Sequence, residues 1–195
     1  MRIIDITQPL FIGEVYPGHP VPQMQRLHDM NNGELYNLSA FSMCVHNGTH
    51  VDAPFHFYKD GRTIDEFALE AFVGDCYVAR HNGDVTAADA QSILSAAKSA
   101  GAAERILIAG EATVTADAAR VFAAANLRLL GNESQAVGPV DAPMEVHRIL
   151  LGAEIILLEG VRLDSVKTGV YFLSAAPLNL PEFDGSPCRA YLIEK

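Results

Sequence analysis

The 195-residue sequence contains no tryptophan, only three cysteines, and few basic side chains. Cys44, Cys76 and Cys188 are widely spaced and include no C-x-x-C pair, so they outline neither a disulfide framework nor a structural zinc site. They read instead as reduced thiols in packed positions. Fourteen Lys and Arg against 24 Asp and Glu give a formal charge of -10, which repels nucleic-acid phosphates and anionic headgroups. No nucleic acid and no membrane is therefore expected as a partner. No apolar run approaches the roughly 20 residues that span a bilayer. The opening Met-Arg-Ile-Ile-Asp-Ile-Thr-Gln-Pro-Leu also lacks the basic segment and long apolar run of a secretory signal. A cytoplasmic protein is expected. Repeats, low-complexity tracts and Gly/Ser linkers are missing too, so residues 1–195 are expected to form one domain.

The sequence does have apolar residues in quantity, 49% of the chain, arranged in alternating strand-like and helix-like stretches. Arg2 to Thr7 predicts a strand, and Leu10 to Gln23, punctuated by Gly13, Pro17, Gly18, Pro20 and Pro22, predicts an irregular loop. Leu38 to Val45 predicts a strand that runs into the Asn47-Gly48 turn. Thr86 is placed to cap a helix through about Ala100, which Gly101 stops. Arg105 to Ala109 then predicts a buried strand. Thr115 caps a second helix to about Ala125, followed by the apolar run Leu127 to Leu130. A third helix is predicted from Met144 to Leu151, with strands over Glu154 to Leu158, Val170 to Ala175 and Arg189 to Ile193. The alternation implies an α/β fold with a mixed, β-rich sheet.

The chemistry concentrates in residues 46–56, His-Asn-Gly-Thr-His-Val-Asp-Ala-Pro-Phe-His, where three imidazoles and a carboxylate fall within eleven positions. Gly48 and Pro54 break any continuous helix, so a looping backbone has to fold His46, His50 and Asp52 toward one point. An extended His50-Val51-Asp52 step puts both polar side chains on one side and Val51 on the other. Singly, each histidine could be a solvated or ordinarily hydrogen-bonded loop residue. A cluster of imidazoles beside a carboxylate has little value in a core without a cation. Phe55 and Phe57 flank His56 and could line a pocket or fill the core.

The string His-x-Gly-Thr-His-x-Asp-x-Pro-x-His resembles the signature of the cyclase family, metal-dependent hydrolases that include bacterial kynurenine formamidases and isatin hydrolase-like enzymes. The resemblance extends to Asp5-Ile6-Thr7 with Pro9-Leu10, Tyr16-Pro17-Gly18, Val146-His147-Arg148, Leu158-Glu159-Gly160 and Ser186-Pro187-Cys188-Arg189-Ala190. It implies a swivelling β/β/α type of fold and a homodimer or homotetramer. Carried over, His46, His50 and Asp52 hold one divalent metal, and Asp52 bridges to a second held by His147 and Glu159, so up to two ions bind per chain. His56 remains free for proton transfer. The nitrogen and oxygen ligands favour Zn2+, with Mn2+ also compatible.

The implied reaction is hydrolysis of a small amide, an N-formyl aryl amine or a cyclic amide, by metal-activated hydroxide. Two other readings compete with it: a non-catalytic metal-dependent small-molecule-binding protein that keeps the family ligand shell, and a structural oligomer with a closed metal site. The chain departs from the family at four places, one of them His19, which replaces the acidic residue that follows Pro-Gly in the loop from Leu10 to Gln23. Tyr16 takes the position of a tryptophan and becomes a possible substrate contact with Phe55 and Phe57. Ile108 to Thr115 replaces an Arg-Thr-Gly-like segment and a longer loop. Glu133 stands near a family carboxylate, either supporting the ligands from behind or exposed as an ordinary acid.

Overall fold

In the computed structural model, which describes residues 1–13 and 15–194, strands and helices alternate much as the apolar patterning requires. The strands are β1 (Arg2–Asp5), β2 (Gln23–His28), β3 (Leu38–Ser42), β4 (His50–Asp52), β5 (Val73–Arg80), β6 (Gly83–Val85), β7 (Arg105–Ala109), β8 (Ala112–Val114), β9 (Leu129–Asn132), β10 (Ile156–Glu159), β11 (Gly169–Ser174), β12 (Gly185–Pro187) and β13 (Tyr191–Glu194). The helices are α1 (Ala87–Ser99), α2 (Ala116–Ala123) and α3 (Met144–Gly152). Nine strands form one mixed sheet in the order β1-β13-β11-β5-β7-β9-β10-β4-β12. Its heart, β5 through β10, is parallel, and the remaining neighbours are antiparallel. This is the α/β architecture with a mixed, β-rich sheet that the sequence implies.

The parallel strands are covered on both faces, and β7 shows how. Leu107 and Ala109 point into one apolar core, whereas Ile106 and Ile108 point into the other. The second core receives the helices: Ala90 and Ala97 from α1, Ala118 and Phe122 from α2, Leu150 and Leu151 from α3. The helix starts follow their caps. Thr86 Oγ1 accepts from Asp89 N while Asp89 returns a bond to Thr86 N, a reciprocal box that satisfies two otherwise unpaired donors. Thr115 Oγ1 accepts from Ala118 N in the same way. Gly101 lies at φ +74, the left-handed conformation a glycine adopts freely after a helix end. The three cysteines are free, and burial pushes the Cys76 and Cys188 thiols up to about 12, as inert packed thiols require.

Several features depart from the sequence expectation, among them the short strands β6, β8 and β12. The strand expected over Leu38 to Val45 ends at Ser42, and the loop before it gives way at Gln23 to β2, so β2 and β3 form a separate hairpin. That hairpin leaves Met24, Leu27 and Phe41 about half exposed. The long strand β5 was not expected, because Gly74 and Asp75 interrupt its apolar run. Gly74 sits there because a Cβ would meet the guanidinium of Arg105 at 2.7 Å. Among the described residues, no helix is long and apolar enough to cross a membrane.

The short strand β4 positions the chemistry. It lies between β10 and β12, with His50 opposite Glu159 and Asp52 opposite Gly185. His50 and Asp52, two residues apart, share one face, and Val51 turns into the apolar core.

Candidate metal centre

Local hydrogen bonds fix the backbone from which the ligands project. Gly48 takes φ +68, so the chain reverses and its carbonyl comes 2.9 Å from Nδ1 of His50. A carbonyl only accepts, so Nδ1 of His50 carries the proton and Nε2 is turned toward the carboxylates. Pro143 O does the same for Nδ1 of His147 at 2.9 Å, one turn back along α3. Thr49 locks the segment in place: its hydroxyl donates to Gly160 O and accepts from Gln8 N. The loop is thus tied to both the end of β10 and the N-terminal segment.

Asp52 is the hub. Its Oδ1 lies 2.8 Å from His46 Nδ1 and 3.4 Å from His50 Nε2. Its Oδ2 lies 3.7 Å from His147 Nε2 and has no hydrogen-bond partner among the described residues, although the carboxylate is only 1% exposed. Glu159 accepts from Val137 N through Oε1, which is also 3.2 Å from His147 Nε2, and its Oε2 is 3.4 Å from His50 Nε2. An orphaned, fully buried carboxylate oxygen between imidazoles is costly in a neutral interior and fits a cation. The residues therefore suit a divalent metal on chemical grounds.

The donors draw together in two tight sets, His46 with Asp52 and His56, and His50 with Asp52 and Glu159. Asp52 is common to both, as a bridging role requires. The partition differs from the expected one in that His50 faces Asp52 and Glu159 together. His56 is held in place: its Nδ1 lies 3.2 Å from Asp184 Oδ2, and its ring stacks on His46 with centroids 3.9 Å apart. Asp184 was missed in the sequence. It also holds His46, through Nε2 at 2.7 Å. No residue type in the sequence signals it; in the structure Gly185 beside it makes room for the ring, since a Cβ there would meet His46 Cε1 at 2.8 Å.

Electrostatics follow the geometry. Burial disfavours a charged His46, but Asp52 and Asp184 outweigh it and raise the imidazole to about 11. Burial likewise opposes protonation of His50 and His147; Asp52 and Glu159 raise His50 to about 9, and Glu159 above all raises His147 to about 9. Burial raises Asp52, and burial and Asp52 raise Glu159, yet the surrounding imidazoles hold both carboxylates low. Hydrogen bonds from His46 and His56 hold Asp184 far below the usual carboxylate range.

A cavity of about 210 Å³ opens over this cluster. Tyr16 and Phe57 line it, as do His19 and Gln135, to which the sequence alone assigns no site role. Tyr16 is anchored by its hydroxyl, which donates to Val140 O, and Phe57 stacks on His147 at 4.9 Å. Burial and the neighbouring imidazoles lower the pKa of His19. Phe55 does not line this cavity; the tight turn Pro54–His56 points it outward, 39% exposed. Ile108 to Thr115 also lies away from it, in β7 and β8. Glu133 is neither an exposed acid nor a support for a ligand: it clamps the backbone by accepting from Gly110 N and Leu163 N.

Comparison with known proteins places this arrangement. The Cyclase family matches residues 4–139. Kynurenine formamidase from Erythrobacter litoralis is 31% identical over 210 residues, spanning 99% of this chain and 94% of that protein. A solved structure described as a potential metal-dependent hydrolase with cyclase activity superposes with a TM-score of 0.80 at 28% identity, over 98% of this chain and 96% of that one. Isatin hydrolase A from Labrenzia aggregata, bound to benzyl benzoate, shares the fold, with a TM-score of 0.82 at 24% identity over 100% and 94% of the two chains. By class, the protein is a metal-dependent hydrolase. Within that class, the chain belongs to the cyclase family.

Proposed function

We propose that the chain hydrolyses a small amide, an N-formyl aryl amine or a cyclic amide, over a centre of up to two divalent ions held by His46, His50, Asp52, His147 and Glu159. The observation that carries this is the Asp52 carboxylate, buried, shared by both donor sets and left with an unpartnered Oδ2. Divalent ions held there, Zn2+ by preference and Mn2+ as the other candidate, would supply a Lewis acid for an amide carbonyl and would lower the pKa of water toward neutral pH.

The protein's own residues do the rest. His50 and His147 are held in one tautomer by the carbonyls of Gly48 and Pro143, so each presents Nε2 inward. His56, backed by Asp184, holds a proton at the cavity wall and passes it to the departing nitrogen. Asp184 acts as the positioning residue for that imidazole. Tyr16 and Phe57 offer ring faces to an aromatic or cyclic substrate. Assembly as a homodimer or homotetramer belongs to the same proposal and is supported by the apolar side chains exposed on the β2–β3 hairpin.

Two substitutions separate binding from chemistry. Asp52→Ala is expected to lose most of its metal, and His56→Ala to retain metal while kcat falls by about 10²- to 10⁴-fold, the usual range for a lost general acid. Elemental analysis and turnover on the same preparations check this. Full activity in metal-loaded His56→Ala would remove it from proton transfer, and loss of metal from that variant would place His56 among the ligands.

A further inference from the structure

The proposed metal ligands and His56 account for most of the polar side chains around the cavity over the metal cluster. The rest of its wall is Tyr16, His19, Phe57, Gln135, Ala136 and Pro143. Phe57, Ala136 and Pro143 carry no polar side-chain atom. The hydroxyl of Tyr16 donates its proton to Val140 O at 2.6 Å, and both polar atoms of the Gln135 amide are shielded inside the protein. Among the described residues, His19 is therefore the lining side chain outside the metal and proton-transfer groups that can still donate to a bound molecule.

The turn before it fixes where His19 sits. Its backbone N donates to Tyr16 O at 3.0 Å across Pro17-Gly18, with Gly18 at φ +89 in the left-handed region that such a turn requires. The partly buried ring packs on Tyr16 with centroids 5.0 Å apart, and its centroid lies 6.3 Å from that of His46. Nδ1 lies 3.8 Å from Sγ of Cys44, a residue behind the cavity wall. A bare imidazole nitrogen is a good acceptor and sulfur a weak one, so the thiol donates to Nδ1 and the ring proton sits on Nε2. Nε2 has no hydrogen-bond partner among the described residues and, unlike the Gln135 amide, is not shielded. The nitrogen turned away from Cys44 is the one presented to the cavity, as an N–H in want of an acceptor.

We propose that His19 is a substrate-binding residue whose Nε2–H donates to a second acceptor oxygen, of a carbonyl or carboxylate, that the substrate carries beside the amide that reacts. This rests on the amide-hydrolase proposal for the site, and it narrows that proposal to amides bearing such an oxygen.

The test uses benzohydroxamates, whose hydroxamate group chelates the metal, with acetyl, carboxylate or isopropyl placed ortho, meta or para on the ring. Acetyl and isopropyl share a shape and differ by the oxygen; the carboxylate reads a charged oxygen in its place. Binding of each to the zinc-loaded full chain is measured by calorimetry, together with zinc content. Wild-type protein is expected to bind the acetyl or the carboxylate probe about three- to tenfold tighter than the isopropyl probe at one ring position or more, the ratio one hydrogen bond supplies. His19→Phe, which keeps a ring to pack on Tyr16, is expected to lose that preference while keeping its zinc. His19→Gln, which returns an N–H at similar reach, is expected to recover part of it. No preference over isopropyl at any position, no detectable hydroxamate binding to zinc-loaded protein, or an unchanged preference in His19→Phe would each overturn the assignment. If His19→Phe does not fold, His19→Leu takes its place. Because binding is read without turnover, a protein that shows the preference but hydrolyses no amide would count against the hydrolase proposal and leave the role of His19 standing.

Discussion

Asp52 is buried among three imidazoles whose protonation depends on it, so the state of the cluster should follow pH closely. The folded pKa values of His46, His50 and His147 lie above the ordinary 6.5, at about 11, 9 and 9. A raised folded pKa contributes stability that is complete below the unfolded value and is lost as pH rises through the folded one. Metal-stripped protein is therefore expected to lose thermal stability as pH climbs from about 7 to 10. Protons compete with metal for the same nitrogens, so zinc affinity should increase over that window. Melting curves with and without zinc across the range check both signs. A metal-free Tm that rises with pH would contradict the ion-paired cluster. At this scale the sequence was informative where residue types were unusual. His46, His50 and Asp52 stand out within one short segment, and His147 and Glu159 could be added through the family resemblance. Asp184 was invisible because an aspartate in a loop is ordinary; only the folding of β12 against β4 gives it meaning.

Helices α1 and α2 show how far local chemistry reaches. Thr86, Thr115 and Gly101 could be read directly, since capping is decided by residues within one turn. Strand β5 and the β2–β3 hairpin could not, because what sustains them is distant: Arg105 fills the space beside Gly74, and β11 and β7 flank β5. The two kinds of stabilisation should differ in magnitude. Thr86→Ala is expected to cost about 1 kcal/mol by leaving helix donors unpaired. Phe122→Ala, which empties a fully buried position between α2 and the sheet, is expected to cost about 3–5 kcal/mol. Denaturant unfolding of the two variants measures both. Equal losses would mean that the α2 face is packed less tightly than the burial of Phe122 requires.

For the whole molecule, the sheet brings together ligands that lie far apart in sequence: His50 and Glu159 sit opposite each other across β4 and β10 although 109 positions separate them. The exposed apolar side chains of the β2–β3 hairpin belong to this scale too. Sedimentation velocity is expected to show a dimer or tetramer, and a species that stays monomeric at micromolar concentration would contradict that assembly. Metal-dependent hydrolysis at the Asp52 cluster can be followed by stripping the protein with chelator and titrating Zn2+ or Mn2+ back while measuring hydrolysis of aryl formamides and isatin-like cyclic amides. Turnover should vanish on stripping, return with added ion, saturate at no more than about two ions per chain, and fail to return in Asp52→Ala. Hydrolysis that persists in stripped protein, or an ion-loaded protein that hydrolyses none of these amides, would contradict it.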